Sequence, residues 1–247
     1  MEFIYNNTKI NYEIKGNGEK LVVFLHGWGV GSEMFLPLAK EIYKEGNSFL
    51  FIDFPPFGKS EEPKTVWTIQ DYKALTLQII QHILDEQNYT SLDIISHSFG
   101  GRIAILLASE NELKLNKLIL IGAAGIKPKR GLIYKTKVLK YKIMKKFAPQ
   151  IAANMGSEDY KKLSSTMKQT FKNIVNTDLT SLCDKISCQT LIIYGQKDKE
   201  TPIYMAKKLH KSIKNSKLII VKGAHHFVYL EQLNLVSKYV NLFLNTW

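Results

Sequence analysis

Ser98 stands in the run Leu92-Asp93-Ile94-Ile95-Ser96-His97-Ser98-Phe99-Gly100-Gly101, where an apolar strand pattern stops. An apolar helical pattern, Arg102-Ile103-Ala104-Ile105-Leu106-Leu107-Ala108, follows at once. A serine held in so tight a strand-to-helix turn projects its hydroxyl above a sheet. The residues two before and two after it must be small, because the backbone nearly meets itself there. Ser96 takes the first of these places, where glycine is usual, and Gly100 takes the second. The free N–H groups of the helix amino terminus behind Ser98 suit a developing oxyanion. A helix cap is the plainer use of a serine here; the strand and helix on either side favour a nucleophile.

Such a hydroxyl needs a base to take its proton, and the base needs a carboxylate to hold its tautomer. The chain has six histidines: His26, His82, His97, His210, His225 and His226. Two of them follow the last apolar run, in Gly223-Ala224-His225-His226-Phe227. The run before that leads into Gly195-Gln196-Lys197-Asp198-Lys199-Glu200-Thr201-Pro202, which offers Asp198, with Glu200 as a substitute acid. Serine, then acid, then histidine, each just past a different strand, is the chain order of one large class of hydrolases.

The elements that must position these groups are legible as alternating patterns. Apolar runs at Ile10–Ile14, Leu21–Leu25, Phe49–Ile52, Leu92–Ile95, Leu118–Ile121, Leu191–Tyr194 and Leu218–Val221 predict strands. The later runs are nearly continuous in Leu, Ile and Val, as strands buried on both faces are. Helical patterns fall at Glu33–Glu45, Ile69–Gln87, Phe99–Ser109, Tyr204–Ser212 and Leu230–Leu244, and Thr68 with Asp71 resembles a capping signal. Strand and helix in alternation predict a mostly parallel central sheet flanked by helices. Gly125–Ile186 breaks the rhythm with helical patterns only. It is too long for a structureless connection and reads as an insertion.

Composition narrows the function classes. The 247 residues are 45% hydrophobic and 23% charged, with a net charge of +12. That charge is local. Between Lys127 and Lys172 stand 13 basic residues against Glu158 and Asp159 alone, a net +11, while the other 201 residues hold 21 basic and 20 acidic side chains. Only Arg102 and Arg130 are arginine, where a reader of guanine or phosphate would favour the guanidinium fork. No nucleic-acid module is visible, and no nucleic-acid partner is expected. No apolar run approaches the roughly 20 residues of a transmembrane segment, and the amino terminus lacks a signal-peptide pattern. Cys183 and Cys188 read as two reduced thiols, so a cytoplasmic location is expected.

Taken together, these motifs resemble the α/β-hydrolase superfamily across essentially the whole chain. His26-Gly27-Trp28-Gly29 is similar to the HG-x-x segment after the family's third strand. The resemblance assigns the oxyanion donors to the backbone N–H groups of Trp28 and Phe99. Asp53-Phe54-Pro55-Pro56-Phe57-Gly58-Lys59-Ser60 resembles D-x-P-G-x-G-x-S, with Pro56 where glycine usually stands. Gly195, Asp198 and Pro202 meet the G-x-x-D-x-x-x-P pattern, and His226 with Glu231 meets G-H-x-x-x-x-E, His225 standing where glycine is common. The spacing to Glu231 selects His226 over His225, which becomes a loop residue. His97 is expected to point away from the nucleophile and His26 to orient the oxyanion loop. Asp53, Glu231, His82 and His210 are expected to be structural or solvated.

The resemblance implies an α/β-hydrolase fold in one domain, residues 1–247, with a helical lid at 125–186 after the sixth strand. It implies a Ser98–His226–Asp198 triad that acts through an acyl-enzyme, with no metal or organic cofactor. The first substrate choice is a carboxylic ester of a small or medium acyl group, with Trp28 and Phe99 as apolar walls. Thioester hydrolysis, carbon–carbon bond hydrolysis of a diketone-like acid, and a non-catalytic ligand-binding role are the alternatives. For the lysine-rich lid the plain reading is a solvated face whose stems cover apolar surface. An acidic carrier protein or acidic substrate is the sharper one.

Overall fold

The computed structural model describes residues 1–44, 46–128 and 158–245. Eight strands form one sheet in the order β1-β2-β4-β3-β5-β6-β7-β8. Six are parallel: β3 (Lys20–Leu25), β4 (Asn47–Ile52), β5 (Ser91–His97), β6 (Lys117–Ile121), β7 (Gln189–Gly195) and β8 (Ser216–Val221). The hairpin of β1 (Glu2–Tyr5) and β2 (Thr8–Lys15) adds antiparallel strands at one edge. Its turn places Asn6 and Asn7 at φ 47° and 57°, the left-handed conformation that asparagine tolerates and tight hairpins require. The sequence patterns miss β1 because it pairs only with β2 and buries a single side chain, Tyr5.

Alternate side chains feed two cores. Val23 and Leu25 of β3 join the face covered by α2 (Ile69–Glu86), α3 (Phe99–Glu110) and α6 (Ile203–Ser212). Val22 and Phe24 join the face covered by α1 (Leu36–Ile42) and α8 (Leu233–Asn245). Strands β5, β6 and β7 are buried almost throughout, as their unbroken apolar runs require. The capping signal before α2 is a full box: the Thr68 N–H donates to Asp71 Oδ2 at 2.6 Å and the Asp71 N–H to Thr68 Oγ1 at 3.4 Å. Two helical patterns are subdivided in the fold. A 3-10 turn at Ser32–Phe35 precedes α1, and Gln232 separates α7 (Val228–Glu231) from α8. Lys117, buried in β6, donates its ammonium to the carbonyls of Phe243 and Leu244, each at 2.9 Å. That satisfies acceptors a helix end cannot satisfy alone.

Of the lid expected at 125–186, residues 129–157 lie outside the described residues. The rest holds α4 (Glu158–Lys162), α5 (Ser165–Asn176) and a 3-10 segment at Thr180–Lys185. Three backbone anchors tie α5 to the sheet domain. The Trp67 N–H donates to Thr170 Oγ1 at 2.9 Å, Arg102 Nη1 to the Thr177 carbonyl at 2.7 Å, and the Leu179 N–H to the Gly125 carbonyl at 2.8 Å. Among the described residues no helix is long and apolar enough to cross a membrane.

The chain moves from β3 to β4 on one side and then returns to place β5 on the other. Strand order therefore reverses between β3 and β5. The crevice outside the carboxyl ends of such a pair is where open α/β sheets bind ligands.

Candidate active site

Ser98 sits at that crevice, between β5 and α3. Its backbone takes φ 50° and ψ −111°, a conformation that costs a non-glycine residue about 1–3 kcal/mol. The surroundings hold it there. The Ser98 N–H donates to the Ile121 carbonyl at 3.2 Å, and the Ser98 carbonyl accepts from Gly101 and Ala124 at 3.0 and 2.8 Å. A side chain at Gly100 would begin 2.0 Å from the Leu25 carbonyl oxygen, so only glycine fits. Ser96 fits the other small position and uses its hydroxyl, donating to the Ile119 carbonyl at 3.1 Å.

The two expected partners converge on Ser98 from the ends of β7 and β8. Ser98 Oγ lies 2.9 Å from His226 Nε2, and His226 Nδ1 lies 2.8 Å from Asp198 Oδ2. A carboxylate only accepts, so Nδ1 carries the ring proton and Nε2 is free to accept from the serine. The Asp198 side chain is wholly buried. Burial pushes its carboxyl pKa up, but hydrogen bonds from His226 and Thr201 outweigh this and hold it below the usual carboxylate value.

Thr201 is a residue the sequence patterns do not single out. Its N–H donates to Asp198 Oδ1 at 2.9 Å, beside the Glu200 N–H at 3.0 Å. Its hydroxyl lies 2.8 Å from Asp198 Oδ2 and 3.0 Å from the Gly122 carbonyl. The signal for it is an aspartate followed two and three residues on by amides that turn back to its side chain, just before Pro202.

Trp28 and Phe99 flank the serine from the ends of β3 and β5. Phe99 opens α3, so its N–H has no carbonyl one turn earlier to bind. Among the described residues the Trp28 N–H has no protein acceptor either. The Trp28 ring packs against Phe57, Phe99 and, on α5, Phe171, with centroids 4.9, 5.4 and 5.2 Å apart. The loop that carries Trp28 is fixed by His26, whose Nε2 accepts from the Phe54 N–H at 2.7 Å while Nδ1 lies 2.7 Å from the Gly27 carbonyl. Asp53 braces the same region by accepting from the N–H groups of Ser32 and Lys59, both at 2.9 Å, and from Asn11 Nδ2 at 2.8 Å. The Pro55–Pro56 bond beside it is cis.

His97 makes no hydrogen bond to Ser98. Its Nε2 lies 3.1 Å from the His226 carbonyl and its ring packs, tilted by 47°, 4.7 Å from the His226 ring, so it supports the loop that carries His226. Burial and the neighbouring His226 drive its pKa down to about 3, so the ring is neutral. His225 points elsewhere: its N–H and Nδ1 lie 2.9 and 3.1 Å from Glu231 Oε2. His82 and His210 pair with Glu86 and Ser216. Cys183 and Cys188 are free thiols whose pKa values burial raises to about 12 and about 11, which makes them poor nucleophiles.

Ser98, His226, Trp28 and Phe99 all line one cavity of about 770 Å³, and α5 closes part of it with Phe171, Ile174 and Val175. Asp198, Glu200 and His226 hold ligand atoms within 4.8 Å of one another. Both oxygens of Asp198 and Nδ1 of His226 already take part in hydrogen bonds. Chemically, the site offers a half-buried hydroxyl on a strained backbone, an imidazole in contact with it, a buried carboxylate behind the imidazole, and two amides without a protein acceptor among the described residues.

Comparison with known proteins identifies the family. A family model described as serine aminopeptidase, S33, matches residues 16–179, and one described as TAP-like protein matches residues 167–246. The chain is 27% identical to an AB hydrolase superfamily protein of Bacillus subtilis over 91% of each chain. It is 24% identical to a 2-hydroxy-6-oxononadienedioate/2-hydroxy-6-oxononatrienedioate hydrolase of Cupriavidus pinatubonensis, over 96% of this chain and 90% of that one. An esterase from Exiguobacterium antarcticum superposes with a TM-score of 0.77 at 25% identity, over 97% of this chain and 96% of that chain. With its sheet order, its strand-end site and these matches, the chain belongs to the α/β-hydrolase superfamily.

Proposed function

We propose that the protein is a serine hydrolase that cleaves carboxylic esters of small to medium acyl groups through a Ser98–His226–Asp198 triad. The observation that carries this reading is the hydrogen-bonded series from Ser98 Oγ through His226 to Asp198, with contacts of 2.9 and 2.8 Å, opening on a cavity that Trp28, Phe99, Phe171 and Val175 line in part. As Ser98 Oγ bonds to the carbonyl carbon, its proton passes to His226 Nε2 and the carbonyl electrons move onto oxygen. The N–H groups of Trp28 and Phe99 hold that oxyanion. The imidazolium then protonates the leaving alkoxide as the carbon–oxygen bond breaks, leaving an acyl-serine. Water, deprotonated by the same nitrogen, releases the acid. Asp198 stays ionised throughout and stabilises the imidazolium.

On this reading the chain is one hydrolase domain, and residues 125–186 act as its lid, with Phe171, Ile174 and Val175 of α5 shaping the acyl pocket. Ser98→Ala should abolish turnover of short-chain aryl esters and labelling by an active-site serine probe. Retained wild-type turnover would sink the assignment. The Cupriavidus relative, a hydrolase of oxo-dioates, favours a second reading, cleavage of a carbon–carbon bond in a diketone-like acid. A panel of ester, thioester, aminoacyl arylamide and diketo acid separates the cases by the fragment released: alcohol, thiol, amine or enol.

A further inference from the structure

Arg102 lines the same cavity, yet the mechanism above gives it no task. It lies on α3 one turn beyond Phe99, and residues so placed carry Cβ atoms about 5–6 Å apart. Helical side chains also lean toward the helix amino terminus. Arg102 and Ser98 accordingly line the same cavity. The residue is 5% exposed. A guanidinium has five N–H donors, and among the described residues only Nη1 has a protein acceptor, the Thr177 carbonyl at 2.7 Å.

No ion pair among the described residues cancels the charge. Among the described residues no carboxylate lies within salt-bridge distance of Arg102; Asp178 is the acid whose field it feels. At the cavity wall stand two lysines, Lys197 and Lys199, and two glutamates, Glu200 and Glu231, while Asp198 is committed to His226. The sequence from 129 to 157 contains lysines and an arginine but no aspartate or glutamate, so it has no carboxylate to offer. A buried cation without a counter-ion is costly, and it becomes favourable when a ligand supplies the anion. The planar fork matches carboxylate and phosphate alike, and of the two the singly charged carboxylate balances a single buried guanidinium.

We propose that Arg102 is the anion-binding subsite of this cavity, and that the physiological substrate is an acyl compound with a carboxylate on the acyl side, a few bonds from the scissile carbonyl. This rests on the hydrolase reading above for which group is the acyl group. The leaving oxygen must meet His226 Nε2, so the acyl chain runs away from His226, along the wall formed by α3 and α5. There the apolar faces of Phe171 and Val175 receive the methylenes and Arg102 receives the terminal charge.

The test compares two substrates of equal length, the 4-nitrophenyl monoester of adipic acid and its analogue with a terminal carboxamide. The wild-type protein should favour the carboxylate ester by at least about tenfold in kcat/KM, a difference of about 1.4 kcal/mol. Arg102→Gln should reduce that ratio about tenfold or more, chiefly through KM. Val175→Asp leaves the contact between Arg102 and Thr177 in place but puts an acid in the cavity, and it should reduce the ratio in the same way. A wild-type ratio near one, or a ratio that neither variant moves, overturns the proposal even if esterase activity is high. The binding arm uses Ser98→Ala protein. Adipate monomethyl ester should raise its Tm, and the carboxamide analogue should not, in a manner lost on adding Arg102→Gln. That result with no turnover of either ester supports the subsite while removing the esterase reading; no difference in Tm shift counts against the subsite.

Discussion

In the unfolded chain His97 takes up a proton near pH 6.5, whereas in the fold burial and the adjacent His226 delay that event to about 3. Between these values the unfolded chain binds a proton that the folded one excludes. Stability is therefore complete above about pH 6.5 and is lost progressively as the pH falls toward 3. At about 1.4 kcal/mol per pH unit, a change from pH 7 to pH 5 costs about 2 kcal/mol through this ring alone. In a domain of this size that is about 4–8 °C in Tm. His97→Phe retains an aromatic ring among His226, Phe227 and Tyr229, whose centroids lie 4.7, 4.9 and 5.1 Å away, and removes the titration. It also deletes the donor to the His226 carbonyl, which costs about 1–3 kcal/mol at every pH. His26, whose pKa burial shifts in the same direction, is present in both proteins and cancels from the difference. Urea unfolding at pH 5, 6, 7 and 8 measures the effect. The variant should be the less stable protein at pH 8, and its deficit should shrink by about 2 kcal/mol by pH 5. Parallel stability curves for the two proteins would refute the reasoning.

Thr201→Val removes the hydroxyl beside Asp198 Oδ2 and the Gly122 carbonyl, and it should lower kcat on aryl esters about tenfold while costing about 1–2 kcal/mol of stability. Unchanged kcat would mean that the amides of Glu200 and Thr201 alone position the acid. Gly100→Ala forces a methyl group against the Leu25 carbonyl, where 2.0 Å of space is present. It should destabilise by at least about 3 kcal/mol, or about 6–12 °C in a melting scan, and a Tm within 2 °C of wild type would show that the elbow relaxes at little cost.

Much of this architecture is legible before any coordinates. Six of the eight strands announce themselves because parallel strands are written as nearly unbroken apolar runs, and the antiparallel β2 shows through alternating buried positions such as Ile10 and Tyr12. The edge strand Glu2–Tyr5 is hidden because pairing with one neighbour and burying one side chain imposes no periodic pattern. Ser98, Asp198 and His226 are visible as strand-end residues in a recognised order, and the structure brings them together. Residues that act through hydrogen bonds within a folded loop, or through a cavity wall, leave no such trace. Thr201 is found only once the Asp198 loop folds back on itself, and Arg102 looks like one more helix residue until the cavity beside it is seen. His97 shows the converse. Its position beside the nucleophile is obvious, but its partner, the His226 carbonyl, lies 129 residues away in the chain.

That separation has a consequence for synthesis. Ser98 and His226 are 128 residues apart, and the acid and the base leave the ribosome after β7 and β8. Domains emerge amino terminus first, so the serine, its elbow and both amides can be in place long before any base exists to activate them. On the proposed reading the nascent chain lacks its base until the last strand has paired with β7, so hydrolysis would itself be a readout of completed folding.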